Sequence, residues 1–258
     1  QRPERSRIRY CRSRLDPERP KGLRGRCRLH PPRNLPFDVY TTYSESLHMD
    51  PIAKDILTFW FGTTDLSAEI DRREVWFKST PEFDRHLIDN YTGLHKQAAA
   101  GNFDHFVDVP ENCLTLILML DQFPRNIFRG TPKAFHTDPK ARDITRIAVD
   151  RGYHLKFSNR PKNFTFLPLE HSEELEDQIL SVKLYAILND ERSMNAAQGH
   201  HDAVARFGRF PHRNKVMGRQ NTPEEEEYLK IPPTWGMTQA QAEERAKMLR
   251  EQGIDPAA

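Results

Sequence analysis

The chain has 258 residues, 37% hydrophobic and 10% aromatic, which is enough to build the core of one large domain or two small ones. Its longest apolar run, residues 113–120, falls far short of the roughly 20 residues that cross a bilayer, so no membrane-spanning helix is expected. The three cysteines, Cys11, Cys27 and Cys113, form no CxxC spacing, which argues against a disulfide framework or a cysteine zinc site and fits a reducing, cytoplasmic compartment.

The net charge of +2 conceals an asymmetry: residues 1–34 hold twelve Lys/Arg against three Asp/Glu, a balance of +9, and the rest of the chain stands at −7. With Pro3, Pro17, Pro20, Pro31 and Pro32 and no apolar periodicity, residues 1–48 read as a disordered arm. Three readings of it stay open: an extension without function upstream of Met49, an Arg-rich targeting segment that would place the protein in mitochondria, and a nucleic-acid-binding tail.

From Asp50 onward the chain predicts helices. Asp50-Pro51, Thr80-Pro81, Asp138-Pro139 and Thr222-Pro223 each set a capping oxygen before a proline at the first helical position, where the missing amide has no intrahelical partner to lose. Thr222 with Glu225 adds a capping box, and Gly62, Gly101 and Gly152 stand where left-handed helix ends are expected. The first helix, about 51–61, carries Ile52, Ile56, Leu57, Phe59, Trp60 and Phe61, and Trp76-Phe77 follow; these aromatics read as core rather than as a stacking platform for a ring. A helix over 81–100 buries one stripe, and 110–122, apolar on every side, is the central helix.

Gln122-Phe123-Pro124-Arg125-Asn126 then reads as a helix stop with polar groups just beyond it. Another helix follows Asp138-Pro139, and Phe164-Thr165-Phe166-Leu167 is expected as an apolar connection. Pro168 opens a helix to about Leu188 with Leu175, Ile179, Val182, Leu184 and Leu188 inward, which puts His171 and Glu173 at a helix entrance where amide dipoles favour anions. A helix over about 193–206 delivers Phe207-Gly208-Arg209-Phe210-Pro211-His212-Arg213-Asn214, and 223–229 forms a short helix. Residues 231–258 read as a linker and a loosely docked helix without function, leaving 49–230 as an all-helical domain.

Three polar groups of residues collect at predicted helix ends: Asp121, Gln122, Arg125 and Asn126; His171 and Glu173; and Arg206, Arg209, His212, Arg213 and Asn214. If they converge, the arginines would clamp a carboxylate or phosphate while His171 or His212, with Glu173, moves a proton. The alternative is a set of interlocking ion pairs and caps. A metal would need His171, Glu173, His212 and Asp121 together, or His200-His201-Asp202, whose neighbouring histidines face different ways; none is assigned. No glycine-rich phosphate loop, G-x-S-x-G elbow or H-E-x-x-H helix occurs, so no cofactor is named.

The series Ile56-Leu57-Thr58-Phe59-Trp60-Phe61-Gly62, Trp76-Phe77, Leu120 to Asn126, Pro168 to Glu173 and Arg206 to Asn214 resembles the uncharacterised family known as domain of unknown function 924, from about Pro51 to Leu229. The resemblance implies a single all-α domain similar to tetratricopeptide folds, without a visible 34-residue repeat, and brings no activity. One departure is Gln220-Asn221, where the family more often has an acidic residue and a Ser. Two functions are therefore expected: a pocket for a small anionic metabolite, with or without acid/base catalysis, or a noncatalytic tetratricopeptide-like scaffold that holds a peptide in a groove.

Overall fold

A computed structural model describes residues 48–256, and the readings of the basic arm lie outside the described residues. The helix starts follow from capping. Asp50 accepts the amide of Ile52 at 2.7 Å and opens α1 (Pro51–Phe61), and Thr80 accepts that of Phe83 at 3.3 Å and opens α2 (Pro81–Ala100). α2 ends where Gly101 turns to φ 94°, a conformation without a Cβ clash only for glycine. Asp138 is a correction: it is the first residue of α5 (Asp138–Asp150) and not its cap, because its carboxylate is bound by Arg125. Thr137, the residue that precedes it, donates its hydroxyl to the Leu120 carbonyl at 2.6 Å.

The central helix is not stopped by Phe123-Pro124. α3 (Pro110–Ile117) passes into a π-helical turn, Leu118–Gln122, and continues as α4 (Phe123–Ile127). α3 packs on α1, on α5 and on α6 (Asn159–Glu170), and α4 packs on α2. Trp60 of α1, 1% exposed, fills the space between them with Trp76, Phe83, Phe123 and Phe164 at centroid distances of 5.5–6.3 Å. Such edge and offset aromatic contacts hold a core in one arrangement.

Two further expectations change. Phe164 to Leu167 lie inside α6, which runs through Pro168 and ends at Glu170; His171 is its C-cap, so the entrance-dipole argument does not apply to it. α7 (Leu175–Tyr185) splits the expected stripe: Leu175 and Ile179 are exposed, Val182 and Leu184 pack against a core cluster with buried Leu188, and Asp177, Gln178, Ser181 and Tyr185 are also buried. Polar partners decide this. Asp177 receives Arg142 at 2.8 Å and also Arg146, and Gln178 donates to the carbonyls of Glu170 and Ser172 at 2.7 and 2.6 Å.

α8 (Glu191–Phe207) packs against α7 and ends at Gly208. A short 3-10 turn, Pro211–Arg213, follows, then α9 (Pro223–Tyr228) with the expected capping box, and α10 (Gln239–Glu251). Among the described residues there is no strand, only a single Ser79–Thr238 bridge, and no helix is long and apolar enough to cross a membrane. The protein is an all-α domain.

Candidate functional site

The π turn creates the site. An α-helix would bond the Phe123 amide to Met119; here it bonds to Leu118, and Pro124 has no amide at all, so the carbonyls of Met119 and Leu120 are left over. Side chains from elsewhere take them: His95 Nδ1 meets Met119 at 2.8 Å and Thr137 meets Leu120 at 2.6 Å. The widened turn aims Asp121 and Gln122 inward, where Asp121 is fully buried.

Beside it lies a cleft of two chambers, about 260 and 480 Å³, that share Arg125, Arg129, His171, His200 and Trp235 as a common wall. The larger is of the size that holds a small molecule, and the smaller adjoins it. Asp121 receives Gln122 Nε2 and lies 3.1 Å from Arg125 and 3.0 Å from Nδ1 of His171. Burial opposes its ionisation, but Arg125 and His171 outweigh that and hold its carboxyl at about 2. Burial, reinforced by Arg125, lowers the His171 imidazole from its ordinary value, so at neutral pH the pair is a carboxylate beside a neutral ring.

The outer chamber is cationic. Arg125, Arg129, Arg213 and Lys215 line it with His171, His200 and His212, and no carboxylate stands on its wall among the described residues. Asp138 and Asp84 lie behind, each gripping an arginine: Arg125 meets both oxygens of Asp138 at 2.9 Å, and Arg129 meets those of Asp84 at 2.8 and 3.0 Å. Arg213 has no such grip. Its side chain is 10% exposed, its only ion pair among the described residues is Asp138 at 4.0 Å, its Nε has no partner there, and its guanidinium sits over Phe135 and Phe210 at 4.6 and 4.5 Å. Burial and then Arg125 push it down to about 10, still cationic at neutral pH. Burial, then Arg213, hold His212 neutral with its pKa down at about 3, and its Nδ1 is buried without a partner among the described residues.

Of the residues expected at a site, Arg125, His171, His212 and Arg213 meet at the outer chamber, and Gln122 and Asn126 line the inner one. Asp121 supports His171 from behind. Asn126 donates to Ser79 and Asp84 at 3.1 and 2.7 Å. Asn214 is buried and donates to Asn221, a wall residue, at 2.9 Å. Glu173, Arg206 and Arg209 line neither chamber. Glu173 takes both arms of Arg219 at 2.7 and 2.8 Å and the Phe210 amide at 2.8 Å, which braces the turn carrying Arg213. Arg209 forks onto Glu225 at 2.6 and 2.7 Å, and Arg206 pairs with Glu224 at the surface. Cys113 is fully buried, and burial pushes its thiol up to about 12.

The chambers also contain residues that sequence reasoning missed. Glu170, 4% exposed, is 3.1 Å from His200, and no arginine or lysine among the described residues pairs with it; burial raises its carboxyl to about 7. Tyr185 and Asn163, bonded at 2.7 Å, stand beside it. Trp235, in the stretch expected to be a linker without function, stacks on His200 at 3.7 Å. Gly199 makes that contact possible, since a Cβ there would meet the Trp235 ring at 3.2 Å. The adjacency of Glu170 and His171 is plain in the sequence, but nothing local signals their separate partners, His200 and Asp121.

Comparison with known proteins found a match over residues 56–233 to the family described as bacterial protein of unknown function, DUF924. A solved structure of a protein of unknown function, ATU0120 from Agrobacterium tumefaciens, is similar at 37% identity and a TM-score of 0.64, covering 69% of this chain and 97% of that one. No curated protein matches. The chain belongs to the DUF924 family.

Proposed function

Proceeding from that membership, which carries no activity, we propose that the cleft binds a small anionic metabolite in its outer chamber and that His171 is its proton-transfer group. The observation that supports this is Arg213, a buried guanidinium on a wall without carboxylates, whose nearest counter-charge among the described residues is 4.0 Å away. A buried charge is strongly disfavoured unless paired, and two aromatic faces offset only part of that penalty. An anion bound against Arg213, with Lys215 and the outer edge of Arg125, would complete the pairing; Lys215 has no ion pair among the described residues.

His171 supports an acid/base role. An ionised Asp121 holds its Nδ1–H, and its Nε2 lone pair is left to accept a proton from a ligand in the cleft. The scaffold reading would need a long open groove lined by successive helices, and the polar groups gathered at one cleft favour an anion site instead.

The test is thermal unfolding of wild type and Arg213→Met with inorganic phosphate and simple carboxylates. The proposal expects an anion to raise the Tm of wild type and not of the variant, with the unliganded Tm values similar. Absence of stabilisation by any anion, or an undiminished shift in Arg213→Met, would overturn it.

A further inference from the structure

The inner chamber has cationic walls too, and to them it adds a pair of hydrogen-bond acceptors. His171 and His200 stand there with ring centroids 6.3 Å apart. The Nδ1 of His171 is 3.0 Å from both oxygens of Asp121, and the Nδ1 of His200 is 2.8 Å from the Ala196 carbonyl and 3.1 Å from Glu170. A carbonyl only accepts, and so does an ionised carboxylate, so both Nδ1 atoms carry the ring proton. Burial lowers the pKa of both rings, that of His200 far below its ordinary value, so both are neutral. Each Nε2 is therefore a lone-pair acceptor, and neither has a hydrogen-bond partner among the described residues.

Two acceptors side by side on a cavity wall call for donors on the ligand. An ammonium group would face Arg72, Lys78, Arg125, Arg129 and Arg192 on the same walls, where Glu170 is the only carboxyl among the described residues. That balance rejects a cation and favours neutral O–H groups. Trp235, held in place by its stack on His200, and Trp76 and Leu167 offer apolar faces for the carbon skeleton between the hydroxyls.

Because His171 and His200 also border the outer chamber, an anion held at Arg213 would have its body between them. We infer that the ligand is a hydroxylated small anion, a polyol phosphate or a sugar acid, whose hydroxyls donate to Nε2 of His171 and of His200. This inference rests on the anion reading of the same cleft.

The experiment is calorimetric titration of the full chain with sn-glycerol 3-phosphate, n-propyl phosphate and inorganic phosphate, and with glycerate against propionate. Within each pair the charge and length are matched and only the hydroxyls differ. The inference expects the hydroxylated member of at least one pair to bind roughly tenfold or more tightly than its alkyl counterpart. His200→Phe, which keeps a ring against Trp235, should bring that ratio towards one. If the alkyl compounds bind as well as the hydroxylated ones, the inference is wrong and the anion reading stands. If the preference survives intact in folded His200→Phe, the assignment to the imidazoles is wrong. If none of the anions binds, both readings fall together. Should His200→Phe fail to fold by circular dichroism, the wild-type ratio decides alone.

Discussion

Replacing Glu170 by Gln should change how stability depends on pH more than it changes stability itself. Burial raises the Glu170 carboxyl from 4.5 to about 7, so the folded protein binds a proton here that the unfolded chain has released. The contribution is fully present below pH 4.5 and is lost as pH rises through 7. Integrated between pH 5 and pH 8, the loss is about 2–3 kcal/mol. Glu170→Gln keeps the shape and a carbonyl oxygen for the Nδ1–H of His200 but cannot ionise. The histidines have lowered values and contribute in the opposite sense, with stability lost as pH falls below 6.5; they occur in both proteins and drop out of the difference. Urea unfolding of the two proteins at pH 5, 6, 7 and 8 is the assay. The variant should gain on wild type by about 2–3 kcal/mol across the series, with most of the gain between pH 5 and 7. Two curves that stay parallel would refute the claim that Glu170 is a neutral acid in the fold.

Arg213→Met should leave the unliganded protein within about 1 kcal/mol of wild type or more stable, since an apolar side chain between Phe135 and Phe210 replaces a poorly paired buried cation; chemical denaturation checks this. Arg219→Ala leaves Glu173 half-buried without its two-armed partner and should cost about 2 kcal/mol after allowance for solvent at both side chains, measured in the same way. Thr137→Val removes the donor to the Leu120 carbonyl, which Pro124 cannot serve, and should cost about 1–3 kcal/mol in denaturant titration. Gly199→Ala pushes on the Trp235 ring from 3.2 Å and should alter tryptophan fluorescence with little loss of helical circular dichroism.

Much of the fold was legible because its signals are local. Asp50-Pro51, Thr80-Pro81 and Thr222-Pro223 place an acceptor and a missing amide within one turn, and each opens a helix where expected. Phe123-Pro124 misleads because the carbonyl that the proline abandons, that of Leu120, is served by Thr137, seventeen residues away. The face of α7 misleads for a related reason: Leu175 and Ile179 look like a core stripe, but the burial of Asp177 and Gln178 is decided by Arg142, Arg146 and the backbone end of α6.

The site divides along the same line. Residue type and clustering at helix ends point to Arg125, His171, His212 and Arg213 on chemical grounds alone, because arginine and histidine at such places are matched to anions and protons. Glu173, Arg206 and Arg209 carry the same signal and face Arg219, Glu224 and Glu225 instead. A charged side chain announces that it needs a partner without saying whether the partner is protein or ligand. By itself, then, the sequence determined that the chain is helical, where most helices begin, and that polar side chains cluster at helix ends. Tertiary structure alone decided that Asp121 meets His171 across fifty residues, that Glu170 meets His200 across thirty, and that Arg213 is left facing a cavity. Capping and periodicity act within a few residues, whereas the pairing of buried charges depends on which helix ends the packed core brings together.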